Sequence, residues 1–117
     1  MIQHIALLKL KPGVTDEQVE AAFEAGSDLP NEIPGVLRLT YGRDRSDPAH
    51  GFGLASVVQL QDEEALNAYL KDPRRLEYLE SHVDPLTEER IELAVPLEGV
   101  HAPTIATWYW GIGGGLD

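Results

Sequence analysis

The chain has 117 residues, no cysteine, and nine Lys and Arg against twenty Asp and Glu, for a formal charge of −11. This length suits one domain with a core modest enough to gain from a partner subunit, and the charge repels nucleic acid and anionic membrane surfaces. Without cysteine there is no disulfide framework, thiolate nucleophile or Cys-based zinc site, which agrees with a reducing cytoplasm.

The opening MIQHIALLKLKPG lacks the basic n-region of a signal peptide, and Lys9 and Lys11 interrupt its apolar run. Ile2 to Leu10 reads as a strand, with His4, Ala6, Leu8 and Leu10 on one face and Ile5 and Leu7 on the other. A strand that is apolar on both faces is expected to be covered on both. Pro12-Gly13 turns the chain, and Thr15 with Gln18 forms a capping box for a helix carrying Val19, Ala22, Phe23 and Leu29 and ending near Pro30. After the turn Ile33-Pro34-Gly35, residues 36–43 and 52–60 read as a hairpin around the polar loop DRSDPAH. Asp62 caps a second helix, with Glu63 and Glu64 at the positive end of its dipole and Ala65, Leu66, Tyr69 and Leu70 on its apolar side.

Asp72-Pro73 restarts the helix, since Asp caps well and proline lacks an N–H that the first turn does not use. Asp84-Pro85 ends it. Residues 90–97 then form a fourth strand, with Ile91, Leu93 and Val95 as its apolar face and Glu92 looking away. The order β-α-β-β-α-β predicts a ferredoxin-like α+β fold, an antiparallel sheet with both helices on one face. The other sheet face, holding Ile5, Leu7, Leu37 and Leu39, has no layer of its own, and packing against an identical subunit would cover it.

The opening HIALLKLKPGVTDEQV, the IPGV turn, YGRD, the helix DEEALNAYLKDP and the last strand together resemble the stress-responsive dimeric α/β-barrel family. The resemblance spans residues 2–97 and leaves 98–117 as an aromatic and Gly-rich extension. It implies a homodimer with a small-molecule pocket between sheet and helices of each subunit, and no cofactor. The family mixes stress-induced proteins with polyketide cyclases resembling olivetolic acid cyclase and with hydroxynitrile lyases, so membership leaves open whether the chain is an enzyme. The cyclase-like members imply a pocket histidine at His4 and a helix tyrosine at Tyr69, both present. Their general base falls at Arg75, where a guanidinium stays protonated and cannot take a proton, and a further pocket histidine falls at Leu54.

With Leu76, Leu79 and Val83 taken as the buried stripe, at about 100° per residue, Arg74 points roughly 170° away and Arg75 roughly 70°. Arg74 reads as a solvated partner of Glu77. Arg75 either bridges to Asp72 or a neighbouring strand carboxylate, or forks onto a carboxylate or enolate oxygen of a ligand. His4 is a core histidine or a proton carrier, and Tyr69 a core ring or an oxyanion donor. Leu8, Phe23, Leu54, Tyr78 and, from the tail, Trp108 are the expected walls of the substrate pocket.

Asp44, Asp47 and His50 recur at three-residue intervals in a loop, where that spacing puts nothing on one face, so no metal is expected. His82 and His101 show no partners in the sequence. In the tail, residues 104–110 favour a strand or dimer-clasping arm, or an aromatic lid, and GIGGG lacks the spacing and following helix of a dinucleotide site. The functional expectation is a cofactor-free cyclase or lyase of aldol type acting on a small oxygenated, polyketide-like compound. The alternative is a non-catalytic dimeric ligand-binding or stress-response protein.

Overall fold

A computed structural model describes residues 1–46, 51–99 and 101. In chain order it contains β1 (Ile2–Leu10), α1 (Asp16–Ala25), α2 (Leu29–Glu32), β2 (Val36–Arg43), β3 (Leu54–Leu60), α3 (Glu63–Lys71), α4 (Pro73–Tyr78) and β4 (Thr87–Pro96). A π-helical turn, Leu79–Val83, and a short 3₁₀ turn, Asp84–Leu86, link α4 to β4. The four strands form one antiparallel sheet in the order β2, β3, β1, β4, the ferredoxin-like arrangement that the element order predicts. Among the described residues no helix is long and apolar enough to cross a membrane.

The caps form as their side chains dictate. Thr15 accepts from the Gln18 amide while Gln18 reaches back to the Thr15 amide, and Asp62 accepts from the Ala65 amide. Pro30 opens the short α2 instead of ending α1, because the chain has already turned after Ala25 and proline suits a first helical turn. Gly35 enters β2 with φ +87°, and a Cβ there would lie 2.5 Å from Ala65 Cβ on α3. Gly35→Ala is therefore expected to lose about 1–3 kcal/mol to backbone strain alone, with the clash added, read as a fall in denaturant midpoint.

The helices cover one face of the sheet over two apolar clusters. Ile2, Ile33, Val58, Leu60, Leu66 and Tyr69 pack beneath α3, and Leu8, Val19, Leu54 and Val83 beneath α1 and the π-helical turn. His4 and Ala6 lie on the same face of β1, between the Ile2 and Leu8 ends of the two clusters.

Two strand faces differ from expectation. Leu39 belongs to the helix-covered face: a bulge between Val36 and Arg38 advances the register by one residue, so Leu39 pairs opposite Val58 and packs on the core while Leu37 stays exposed. In β4, Ile91 pairs with Leu7 and Leu93 with Ile5, so Ile91, Leu93 and Val95 form the outer face. Glu92, opposite Ala6, turns toward the helices. The outer face of the sheet is thus a continuous apolar surface of Ile5, Leu7, Val57, Ile91, Leu93 and Val95, with Leu93 at 45% exposure.

The buried stripe of α4 also differs. Leu76 is exposed and Arg75 is buried, so the stripe runs Arg75, Tyr78, Leu79, Val83, at spacings of three and four residues. The loop residues Asp47 and His50, and the tail from 102 onward with its expected strand and Trp108, lie outside the described residues. Asp44 caps the turn at Ser46, accepting from its amide and hydroxyl.

Candidate active site

Between sheet and helices lies a cavity of about 90 Å3, well above the ~10–15 Å3 that one water needs. Its walls are mostly apolar, and Leu8, Phe23, Leu54 and Tyr78 are all among them. Phe23 on α1 stacks on Tyr41 of β2 with ring centroids 3.7 Å apart, and Tyr78 is pinned by a 2.7 Å hydrogen bond from its hydroxyl to the Ala22 carbonyl. Burial pushes the Tyr78 phenol up to about 12, so it remains a neutral wall residue. The cavity owes part of its space to Ala6, where the strand alternation puts a methyl group between His4 and Leu8.

The polar end is built by four elements. His4 from β1, Tyr69 from α3 and Arg75 from α4 come together there, and β4 adds Glu92 and Arg90. His4 is 4% exposed and Arg75 6%. The carboxylate organises the group: Glu92 Oε1 accepts from His4 Nε2 at 2.8 Å and from an Arg75 terminal nitrogen at 2.9 Å, while Oε2 forms an ion pair with Arg90 Nε at 2.6 Å. Arg90 also reaches Asp84 at 2.9 Å. The Arg75 guanidinium lies over the Tyr69 ring, 4.8 Å from its centroid, and the His4 ring meets the same tyrosine edge to face at 5.7 Å.

This geometry selects the bridge to a neighbouring strand carboxylate for Arg75, not one to Asp72. Asp72 pairs instead with Arg74, 2.8 Å away, and Arg74 also donates to the Glu32 carbonyl. The expected Arg74–Glu77 pair gives way because Asp72, as the cap of α4, already faces the Arg74 amide. Sequence reasoning missed Glu92 and Arg90, and it left His82 without a role. His82, on the π-helical turn and exposed, edges the cavity beside Tyr78, with rings 5.7 Å apart.

Burial raises the Glu92 carboxyl, but the cations Arg75 and Arg90 and the hydrogen bond from His4 outweigh it and hold the group below its ordinary range. Burial lowers the His4 imidazole below its usual value, against the pull of Glu92. An ionised carboxylate cannot donate, so His4 carries its proton on Nε2 and presents Nδ1 as a bare lone pair. Burial raises the Tyr69 phenol, partly countered by Arg75, which keeps it a hydrogen-bond donor.

Both depressed groups make the fold acid-sensitive in the same sense. Each has a folded pKa below its unfolded value, so each contributes stability that is present above the unfolded value and lost as pH falls toward the folded one. Denaturant midpoints are expected to be flat above the ordinary histidine value of 6.5, to decline below it as His4 protonates, and to decline further below the ordinary glutamate value of 4.5. A midpoint that rises on acidification through this window would contradict the neutral assignment of His4.

The model of the stress responsive A/B barrel domain family matches residues 2–95. No curated protein matches the sequence. A dimeric ferredoxin-like protein of unknown function from Thermobifida fusca is 31% identical, with a TM-score of 0.70 over 82% of this chain and 90% of that one. A hydroxynitrile lyase from Passiflora edulis is 20% identical, with a TM-score of 0.73 over 86% of this chain and 96% of that one. A cofactor-independent oxygenase from Streptomyces nogalater is 14% identical, with a TM-score of 0.70 over 87% and 97%. At these identities the last two share the fold alone, whereas the family match spans nearly the whole sheet and all the helices: the chain belongs to the stress responsive A/B barrel domain family.

Proposed function

We propose that the protein is a cofactor-free enzyme of small-molecule proton-transfer chemistry, a cyclase or lyase of aldol type acting on an apolar compound that carries carbonyl or hydroxyl oxygen. One observation carries this reading: a neutral, buried histidine lines an apolar cavity with its Nε2–H tied to an ionised carboxylate. In that state His4 is a general base, and Glu92 fixes its tautomer and stabilises the imidazolium formed when Nδ1 takes a proton. The electron pair left behind moves onto the substrate oxygen, where the Tyr69 hydroxyl and the Arg75 side chain are the donors beside it. The proton then returns from Nδ1 to the product. Arg75 thus differs from the base at its position in cyclase-like relatives: it anchors Glu92, and His4 takes over proton transfer. The activities named for two proteins of this fold, hydroxynitrile lyase and cofactor-independent oxygenase, support small-molecule chemistry.

The test is solvent-deuterium exchange at carbon next to a carbonyl, followed by NMR across a panel of apolar aldehydes and ketones. The wild-type protein should accelerate exchange for some members, Arg75→Lys should retain on the order of a tenth of that rate or less, and Arg74→Ala should match wild type in rate. Exchange no faster than buffer across the panel, together with tight binding of the same compounds, would favour the second reading, a non-catalytic ligand-binding protein. That reading is supported by Arg75 standing where cyclase-like relatives keep a base.

A further inference from the structure

Two atoms of the polar cluster are buried and find no hydrogen-bond partner among the described residues: His4 Nδ1 and Arg75 Nε. Their chemical characters are fixed by what their other atoms do. With Nε2–H given to Glu92, His4 Nδ1 accepts and cannot donate. Arg75 Nε–H donates and cannot accept. The two side chains meet on one oxygen, Glu92 Oε1, and both face the Tyr69 ring, so the unused acceptor and the unused donor belong to one corner of the cavity. Leaving either unsatisfied is costly, and a resident group that matches both removes the cost.

The charge of this corner is also balanced. Arg75 and Arg90 face Glu92 and Asp84, two cations against two carboxylates. Behind Arg90 and Glu92 lies an outer cleft that Asp84, Glu88 and Glu89 make acidic. No net positive charge is left over for an anion, and a carboxylate would set its lone pairs against that of His4 Nδ1. The expectation that Arg75 forks onto a ligand carboxylate is replaced by the opposite one.

We infer that the cavity is specific for an uncharged ligand bearing an O–H donor beside a carbonyl acceptor, a hydroxycarbonyl compound on an apolar, ring-sized body, and that it discriminates against carboxylates. The hydroxyl donates to His4 Nδ1, the carbonyl accepts from Arg75 Nε–H, and the body lies along the walls that lead to Phe23 and Tyr41. The inference rests on the reading of this cavity as the ligand site, and it concerns recognition apart from turnover.

Three neutral-pH titrations of the full chain test it, using 2-hydroxyacetophenone, acetophenone and phenylglyoxylate as probes and 15N-histidine NMR as the readout. The hydroxyketone should bind on the order of tenfold more tightly than either of the others, since acetophenone lacks the donor and phenylglyoxylate replaces it with charge. Its binding should shift the His4 Nδ1 resonance upfield, as an accepted hydrogen bond does, with Nε2 still protonated. Equal affinity for acetophenone, tighter binding of phenylglyoxylate, or no binding of any probe at millimolar concentration would overturn the inference. Deuterium exchange into the bound hydroxyketone separates the two proposals. The stated binding order without exchange keeps the recognition rule and removes the enzyme, and exchange without that order does the reverse.

Discussion

Glu92→Gln is expected to abolish most of the proposed proton-transfer activity while leaving the fold in place. The amide keeps the shape of the carboxylate but has one acceptor oxygen and no charge, where Glu92 uses two oxygens, Oε1 for donors from His4 and Arg75 and Oε2 for the ion pair with Arg90. If the amide nitrogen faces His4, it donates to Nε2 and forces the proton onto Nδ1, so the base is blocked. If the oxygen faces His4, the imidazolium formed during turnover loses its counter-charge. Either way the rate should fall on the order of a hundredfold or more, by the same logic that makes the carboxylate of a catalytic triad essential. Stability should fall by about 1–3 kcal/mol from donors left unsatisfied. Glu92→Ala should cost more, about 3–5 kcal/mol, because Arg75 is then a buried cation without its partner. Histidine NMR gives the discriminating measurement: Glu92→Gln should change the tautomer or raise the exchange of the Nε2 proton. An unchanged tautomer with full activity would mean that Glu92 does no more than hold Arg75 and Arg90.

Much of this arrangement was legible in the sequence, and the parts that were not share a cause. The alternation in β1 placed His4, Ala6 and Leu8 on the helix-covered face because nothing interrupts it before Lys9, and the caps at Thr15, Asp62 and Asp72 set the helix starts. The same rule failed for β4. Ile91, Leu93 and Val95 outweigh their neighbours in hydrophobicity, but in a sheet with two apolar faces the greasier side of an edge strand can be the outer one, and Glu92, looking away from it, then faces the helices. The available signal was positional: a lone glutamate inside an apolar strand that must pair with the strand carrying His4. On α4 the wheel was anchored on Leu76, which rotated Arg75 to the margin. Arg75, Tyr78, Leu79 and Val83 form a stripe as regular as any apolar one, and a buried arginine on such a stripe implies a carboxylate opposite it. Leu39 was misplaced by the bulge before Arg38, which no periodicity reveals. For the exposure of Leu76 the structure offers no account.

The outer sheet face yields the other large effect. Ile5, Leu7, Val57, Ile91, Leu93 and Val95 lie together on the side opposite the helices, a surface of the kind that soluble monomers seldom leave open. We propose that a second copy of the chain covers it, sheet against sheet; the ferredoxin-like neighbour from Thermobifida fusca is itself described as dimeric. Leu93→Asp is a better probe than Leu7→Asp, because Leu93 is 45% exposed in the single chain whereas Leu7 is half-buried. The aspartate at 93 remains solvated in a monomer, so the substitution acts on association and not on folding. Twofold symmetry brings two unpartnered carboxylates into each interface, at about 3 kcal/mol or more in total, which weakens association on the order of a hundredfold or more. Sedimentation equilibrium should then show a wild-type dimer at micromolar concentration and a Leu93→Asp monomer with unchanged far-UV circular dichroism. A wild-type chain that sediments as a folded monomer would remove the dimer altogether. A variant that stays dimeric would move the interface off this face, since the aspartate would then be meeting water and not the partner's sheet.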